Sequence, residues 1–544
     1  MVVKLVSVCS LERLPEGRPR RVVAPDGTPL VCVRRGSDVD VLDDRCPHEG
    51  HPLSQGMVRD RTITCAWHEW RFDLASGECL QGEEGTQRFD AEVHHGQVFV
   101  DLHPSVTRRV RRAVDDLHRS LHRRSLAGAL RAALRLDTLD PTGGRARREA
   151  LAFVSEHAPD GVGDVLVSAA AAHDLRRDGV IDEVEANAIT LSATVAACVG
   201  RPLEGRPPSV PSQLGEAEHF LSALIEGRGA EASARVRGLP KGTRASEVIR
   251  AWLLPFASIE LWNLGAVLPQ LAALATLDPY LEPELGRSLT ASVAGAMATA
   301  FAPSRLPTWM ATRQAMMRLR SIARGVGDPL DAADFVHAML VSEREATHRA
   351  VEALARGEEP AVLLRALSEA ACTRLAGFVA PRRGGLVHDV LEAGRALLFI
   401  DAARALDDGR SSWALAHVVL AAGFVGKLRR HQGDIPPTPV RPCDLDGLRE
   451  ALERRDAPSA RRCLGEGNPA ALRELVRFGA LRARGEGASA AALAAALWRH
   501  HDTRDAGVRA SAGLRAFVET RPPDLTDLAR RATEAVRRAG LRDG

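Results

Sequence analysis

The sequence predicts a multidomain protein in which a small all-β domain precedes a large all-α, repeat-like helical region. Three observations carry that expectation. Residues 1–103 hold short Val-rich runs, several alternating in polarity, with Gly, Pro and Asp turns between them. After Pro104 the alternation stops, and apolar residues recur at three and four over long Ala/Leu/Arg segments nearly to the end. With 544 residues, 45% apolar and 26% charged, the chain has the length for about three domains and an ordinary globular composition.

Within 1–103 the strand-like runs are KLVSV, RRVVA, PLVCVRR, VDVLD, TITCAW and QVFVDL, punctuated by turns such as Pro25, Asp26 and Gly27. This part carries 12 basic and 17 acidic residues, a net −5 that leaves +8 for the remainder. Residues 104–125 read as a basic linker helix: Val106, Val110, Val114, Leu117 and Leu121 make one apolar stripe, with seven Arg and two Asp elsewhere. Such a face suits an anionic surface, either nucleic acid or membrane, or more simply the acidic domain that precedes it. Residues 126–433 follow as an α-helical domain.

In that region Phe220–Leu224, Phe335–Met339 and Leu448–Leu452 have the same shape at offsets of 115 and 113 residues, which suggests stacked helical units. A Pro-rich stretch at 434–443 is too rigid and donor-poor to continue a helix, so 444–544 is expected as a C-terminal helical segment.

Composition also sets exclusions. A formal charge of +3 from 73 basic and 70 acidic residues argues against a dedicated nucleic-acid binder. The longest uncharged runs, Leu261 to Leu277 and Ser288 to Ser304, are interrupted by polar residues and fall short of about 18 apolar residues, so no membrane insertion is expected. The N-terminal stretch lacks an unbroken apolar core of about 7–15 residues. Nine cysteines in 544 residues are too sparse for a disulfide framework, and a reducing cytoplasm is the expected location.

Chemistry concentrates in two clusters of the β region. Cys46 and His48 form C-x-H; sixteen residues later Cys65 and His68 form C-x2-H. Two thiolates and two imidazoles at that spacing suit zinc or an iron–sulfur cluster. A zinc ribbon usually has a C-x2-C knuckle and little other structure, whereas here each pair follows a strand and bulky Trp67, Trp70 and Phe72 stand near enough to shield a cofactor.

The segments CPHEGHPLSQGMV and CAWHEWRFDLASGECLQG closely resemble the Rieske 2Fe–2S domain, particularly its bacterial ferredoxin-like form, over residues 1 to about 103. The resemblance implies that Cys46 and Cys65 hold one iron while His48 and His68 hold the other. Neutral imidazoles in place of two thiolates leave less negative charge on the cluster and raise its potential above that of an all-Cys ferredoxin. High-potential members carry an extra Cys in each loop and Ser and Tyr hydroxyls on the sulfurs. Here the corresponding places are His51 and Ala66, with Trp70 and Phe72 nearby, which implies a potential at the low end of the Rieske range, roughly −150 mV. Cys79 reads as packing, and Cys9 and Cys32 as strand-core residues.

The helical region offers several candidates for a second centre. Asp115, His118 and His122 approach the D-x2-H-x4-5-H pattern of Rieske oxygenases, but the spacing departs, the position is too close to His68, and seven Arg surround it. Glu216/His219 and Glu345/His348 are E-x-x-H pairs that, with Glu185 and Glu260, would make a di-iron set. Their charged neighbours make them read as solvated faces, so a second metal is unsupported. His388 and His417 each stand alone in a strongly apolar helix, with Glu392 an i,i+4 partner of His388 and His337 and His431 in the same half. They are the catalytic candidates, against a reading as satisfied core histidines. No phosphate or dinucleotide fingerprint and no nucleophile elbow is present.

The expected function is single-electron transfer by a Rieske 2Fe–2S protein, an oxidoreductase whose small-molecule substrate or second site lies in the helical region, served by an electron-donor reductase or redox partner protein. The alternative is an electron carrier or redox sensor whose helical repeats are a protein-docking scaffold.

Overall fold

In the computed structural model all residues are described except 1–4, 82–84, 141–142, 200–208, 210–215, 260, 262–263, 301–308, 323–324, 326, 328–329, 380–389, 408–411, 434–443, 465–467, 482–489, 500–505, 519–532 and 534–544. Two compact units emerge, Met1–Ala146 with Asp527–Gly544, and Arg147–Thr526. The expected Pro-rich stretch 434–443 and His388 lie outside the described residues.

Among its described residues the first unit has eleven short strands: β1 Val6–Ser10, β2 Pro19–Val23, β3 Pro29–Arg35, β4 Asp38–Asp43, β5 Met57–Arg59, β6 Thr62–Thr64, β7 Arg71–Asp73, β8 Cys79–Gln81, β9 Arg88–Phe89, β10 Ala91–His94 and β11 Gln97–Val100. They form three antiparallel sheets, β1-β11-β10, β2-β3-β4-β9 and β5-β6-β7-β8. The continuous apolar run in β3 has a physical reason. Alternate residues of a strand face opposite sides, and here both sides are covered. Leu30 and Cys32 enter a core with Val41, Phe89, Val98 and Val100. Val31 and Val33 enter the other, with Leu42, Leu53, Ile63, Phe72 and the two cysteines Cys46 and Cys65. Cys32 is buried and Cys9 packs on the first core, as expected of strand-core residues.

Among the described residues this unit also holds the helices α1 Val106–His122 and α2 Leu126–Leu139. Ser105 and Ser125 cap them by accepting from the Arg108 and Gly128 amides. The apolar stripe of α1 packs along α2 and buries Ala113, Leu117 and Leu121. Its arginines reach the connections beside the strands: Arg108 pairs with Asp101 at 3.2 Å, Arg112 with Asp90 at 2.8 Å and Arg123 with Glu78 at 2.6 Å. The basic face therefore lies against the acidic domain that precedes it. The unit boundary at Ala146 falls inside the span 126–433 that the sequence assigns to one helical domain.

The second unit is helical among its described residues, and helices after 443 belong to it. The helix Ser412–Lys427 packs against Glu343–Ala355, Pro360–Ala376 and Arg395–Leu406. It is buried on all sides from Val418 to Val425, which explains why its sequence lacks a polar face. Each of the three similar segments opens a helical hairpin: Ala217–Ile225 before Gly229–Arg237, Ala332–Met339 before Glu343–Ala355, and Leu445–Glu453 before Ala457–Leu464. Phe220, Phe335 and Leu448 are all buried at the same position. The first and third hairpins turn alike. Gly227 and Arg455, each seven residues after that anchor, are left-handed, and the Arg228 and Asp456 amides donate to the Ala223 and Ala451 carbonyls. Cys463 is disulfide-bonded, whereas Cys198 and Cys372 are buried among apolar side chains. Among the described residues no helix is long and apolar enough to cross a membrane.

Candidate metal centre

Two loops of matching construction carry the candidate ligands. The first leaves β4, the second joins β6 to β7. In each, the cysteine amide donates to the carbonyl five residues on: Cys46 to His51 and Cys65 to Trp70, both at 2.8 Å. In each, the residue before that acceptor is left-handed, Gly50 at φ +81° and Glu69 at +58°. The turn aims the intervening side chains outward while the cysteine stays inside. The base of the first loop is fixed by the buried carboxylate of Asp44, which accepts from the Ser54 amide at 2.7 Å and its hydroxyl at 3.0 Å. Burial raises the Asp44 pKa despite those bonds.

The thiols of Cys46 and Cys65 are almost fully enclosed, at 2% and 1% exposure, above Phe72 and Leu74. Burial first, then the neighbouring Cys65 thiol, pushes the Cys46 thiol up to about 12, against the His48 amide that donates to its sulfur. The imidazoles sit on the solvent side. His48 Nδ1 and His68 Nδ1 approach to 3.0 Å, the separation two nitrogens take when one metal ion at about 2.0–2.1 Å from each holds both. His48 stacks on Trp70 with ring centres 4.7 Å apart, and His51 stacks on Trp67 at 4.2 Å and 12°. Glu49 reaches both outer nitrogens, 3.5 Å from His51 Nε2 and 3.7 Å from His68 Nε2. Two buried thiols and two converging imidazoles fit a two-metal group held from two loops, half enclosed and half at the surface.

All four ligand candidates thus come together. Phe72 lies in the core beneath the cysteines, Trp70 lies beside His48, and Trp67 is 56% exposed. Cys79 packs beside this core. Sequence reasoning missed the stacking role of His51 and Trp67 and the position of Glu49. The available signal was the shared offset of Gly50 and Glu69 from their cysteines.

The helical region gives no comparable gathering among the described residues, where His48, Glu49 and His68 are the one group with ligand atoms within 4.8 Å of one another. His219, Glu345 and His348 are exposed, and Glu185 is engaged by Arg477 at 2.6 Å and by its own helix cap. Glu260 lies outside the described residues, and His337 is exposed. His417 is only 2% exposed. Its Nε2 is 2.9 Å from Ser258 Oγ, and that hydroxyl also bonds the Leu254 carbonyl at 2.6 Å. With the single hydroxyl hydrogen engaged there, Nε2 carries the proton, and Nδ1 is a buried acceptor with no partner among the described residues. Burial lowers the His417 pKa to about 4.

Comparison with known proteins bears on the same residues. The family described as "Rieske [2Fe-2S] domain" matches residues 4–93. Apoptosis-inducing factor 3 of Homo sapiens is 28% identical over 96 residues, 17% of this chain and 16% of its own length. The ferredoxin component of the naphthalene 1,2-dioxygenase system of Pseudomonas aeruginosa is 25% identical over 104 residues, 19% of this chain and 99% of its own length. The probable 3-ketosteroid-9-alpha-monooxygenase oxygenase component of Rhodococcus rhodochrous is 43% identical over 68 residues, 12% of this chain and 16% of its own length. The matches thus span a whole ferredoxin but under a fifth of the larger relatives. Residues 4–93 are a Rieske [2Fe-2S] domain, the part of this chain that binds a 2Fe–2S cluster.

Proposed function

We propose that this chain is a two-part oxidoreductase in which Cys46 and Cys65 hold one iron and His48 and His68 the other. The cluster supplies one-electron chemistry. The observation that carries the ligand assignment is the approach of the two Nδ1 atoms to 3.0 Å beside two enclosed thiols. The exposed imidazole edges are the port to an electron-donor reductase or redox partner protein. The helical region then holds the small-molecule substrate or second site. His417 serves there as a neutral acid–base group through Nδ1, and His388 is the other catalytic candidate.

Iron and acid-labile sulfide on anaerobically purified full-length protein test this reading. Two of each per chain are expected, with loss of both in Cys65→Ser and His68→Leu. Retention of a full cluster in either variant sinks the ligand assignment. Turnover unaffected by His417→Gln, once a substrate is in hand, sinks the catalytic one.

A second reading, an electron carrier or redox sensor whose helical repeats are a docking scaffold, is favoured by the matching turns at Gly227 and Arg455. Repeated hairpins of one build are how extended binding surfaces arise. The cytoplasmic reading rests on Cys9 and Cys32, which form no disulfide, and the disulfide at Cys463 counts against it.

A further inference from the structure

We propose that Glu49, His51 and Trp67 form a clasp on the solvent side of the cluster site: the His51–Trp67 stack ties the two ligand loops together, and the Glu49 carboxylate holds the outer edge of His68. Neither loop has a cysteine beyond its ligand, so no covalent bond joins 44–53 to 65–70. Backbone bonds close each loop on itself, Cys46 to His51 and Cys65 to Trp70, and do not cross from one to the other. What crosses is aromatic. His48 lies on Trp70 at the inner side, and His51 lies nearly parallel on Trp67 at the outer side, ring centres 4.2 Å apart.

Trp67 is the residue before His68, and His51 ends the turn that begins at Cys46. The stack therefore fixes the spacing between the backbone segments that carry the two imidazoles. A ring 56% exposed to water gains from such a contact what it would otherwise lose by standing free.

Glu49 adds charge to this geometry. With both Nδ1 atoms turned toward each other, His68 presents Nε2 outward, 3.7 Å from Glu49 Oε2, and the same oxygen is 3.5 Å from His51 Nε2. At those separations the contact is charge to N–H dipole rather than a short hydrogen bond. A carboxylate on the far nitrogen of a metal-bound imidazole orients the ring and raises its basicity. More electron density at the ligand favours the oxidised cluster, so Glu49 lowers the reduction potential. Because Glu49 is half exposed, its pair is weak alone. The stack beside it supplies the rigidity.

The inference rests on the ligand set proposed above, which wild-type iron content and the two imidazole nitrogen couplings in pulsed EPR test separately. The variants are Glu49→Gln, Trp67→Leu and Trp67→Phe in the full-length protein. The readouts are the midpoint potential in a spectroscopic redox titration and the half-life of the visible absorbance in excess chelator. Glu49→Gln should keep its full iron and titrate at a higher potential. Trp67→Leu should lose its cluster several-fold faster than wild type, and Trp67→Phe should recover most of that lifetime. A Glu49→Gln potential equal to wild type overturns the role of the carboxylate. Equal decay in Trp67→Leu and wild type, or equal decay in the two Trp67 variants, overturns the stack.

Discussion

The enclosed imidazole of His417 gives the helical unit a built-in sensitivity to acid. Its ordinary value of 6.5 falls to about 4 in the folded chain because burial disfavours the charged ring. When pH drops below 6.5 the unfolded chain binds a proton that the folded chain refuses, so stability is lost as pH falls, fully so below about 4. The complete loss is about 3 kcal/mol, since each tenfold weakening of proton binding is worth about 1.4 kcal/mol, and about 2 kcal/mol of it is gone by about pH 5. His417→Gln removes the titration while keeping an N–H donor for Ser258. Urea titrations followed by the helical circular dichroism signal, at neutral pH and near pH 5, should show wild type losing about 2 kcal/mol more than the variant. The comparison between the two proteins cancels other acid-sensitive groups. Equal losses in both would refute the argument, since a ring in contact with water has no such penalty.

Three further outcomes follow from close contacts and buried charge. A Cβ at Gly56 would stand 2.1 Å from the Thr64 carbonyl, one residue before Cys65. Gly56→Ala should therefore destabilise the first unit by about 1–3 kcal/mol and lower iron per chain, and normal iron content would count against the role of that contact. Arg499 joins Asp174, at 2.6 Å, to Asp401, two carboxylates each 7% exposed. Arg499→Met should cost about 3–5 kcal/mol in a denaturant titration, partly recovered by adding Asp401→Asn; no recovery would mean that lost packing, not stranded charge, is responsible. A Cβ at Gly479 would meet the Phe517 ring at 2.3 Å, so Gly479→Ala should lower the melting temperature, whereas an unchanged value would show that the ring yields freely.

The candidate ligands stand out in the sequence because metal chemistry admits few donor types and the two loops keep short fixed spacings. Fold class was legible for a related reason: short Val-rich runs before Pro104, several alternating in polarity, and three-four periodicity after it report different backbones. The strands that frame the site were not. β5, β7 and β8 have three residues each, too few for alternation to register, and TITCAW reads as one strand although only Thr62–Thr64 is extended. Cys65 leaves the strand because its amide bonds the Trp70 carbonyl instead of a neighbouring strand. His417 illustrates the other limit. Its hydrogen-bond partner among the described residues, Ser258, is 159 residues away, and no local pattern encodes that contact.

The basic helix α1 shows which force holds what. Its two functions separate onto two faces, because apolar residues at three-four spacing and arginines cannot share one side. The stripe meets α2 and buries Leu117 and Leu121, a term insensitive to salt. The arginines meet Asp90, Asp101 and Glu78, each in the connection beside a strand. Pairs this exposed on the arginine side contribute about 0.2–1 kcal/mol each and weaken with screening. Raising salt to about 1 M, where the Debye length is about 3 Å, should therefore loosen α1 from the strands without separating α1 from α2. Hydrogen exchange reports both at once. Amides of β9 and β10 near Asp90 should lose protection in salt, while those around Leu117 keep it. Protection lost equally at both places would mean that α1 and α2 are held to each other by charge after all. The buried leucines argue against that.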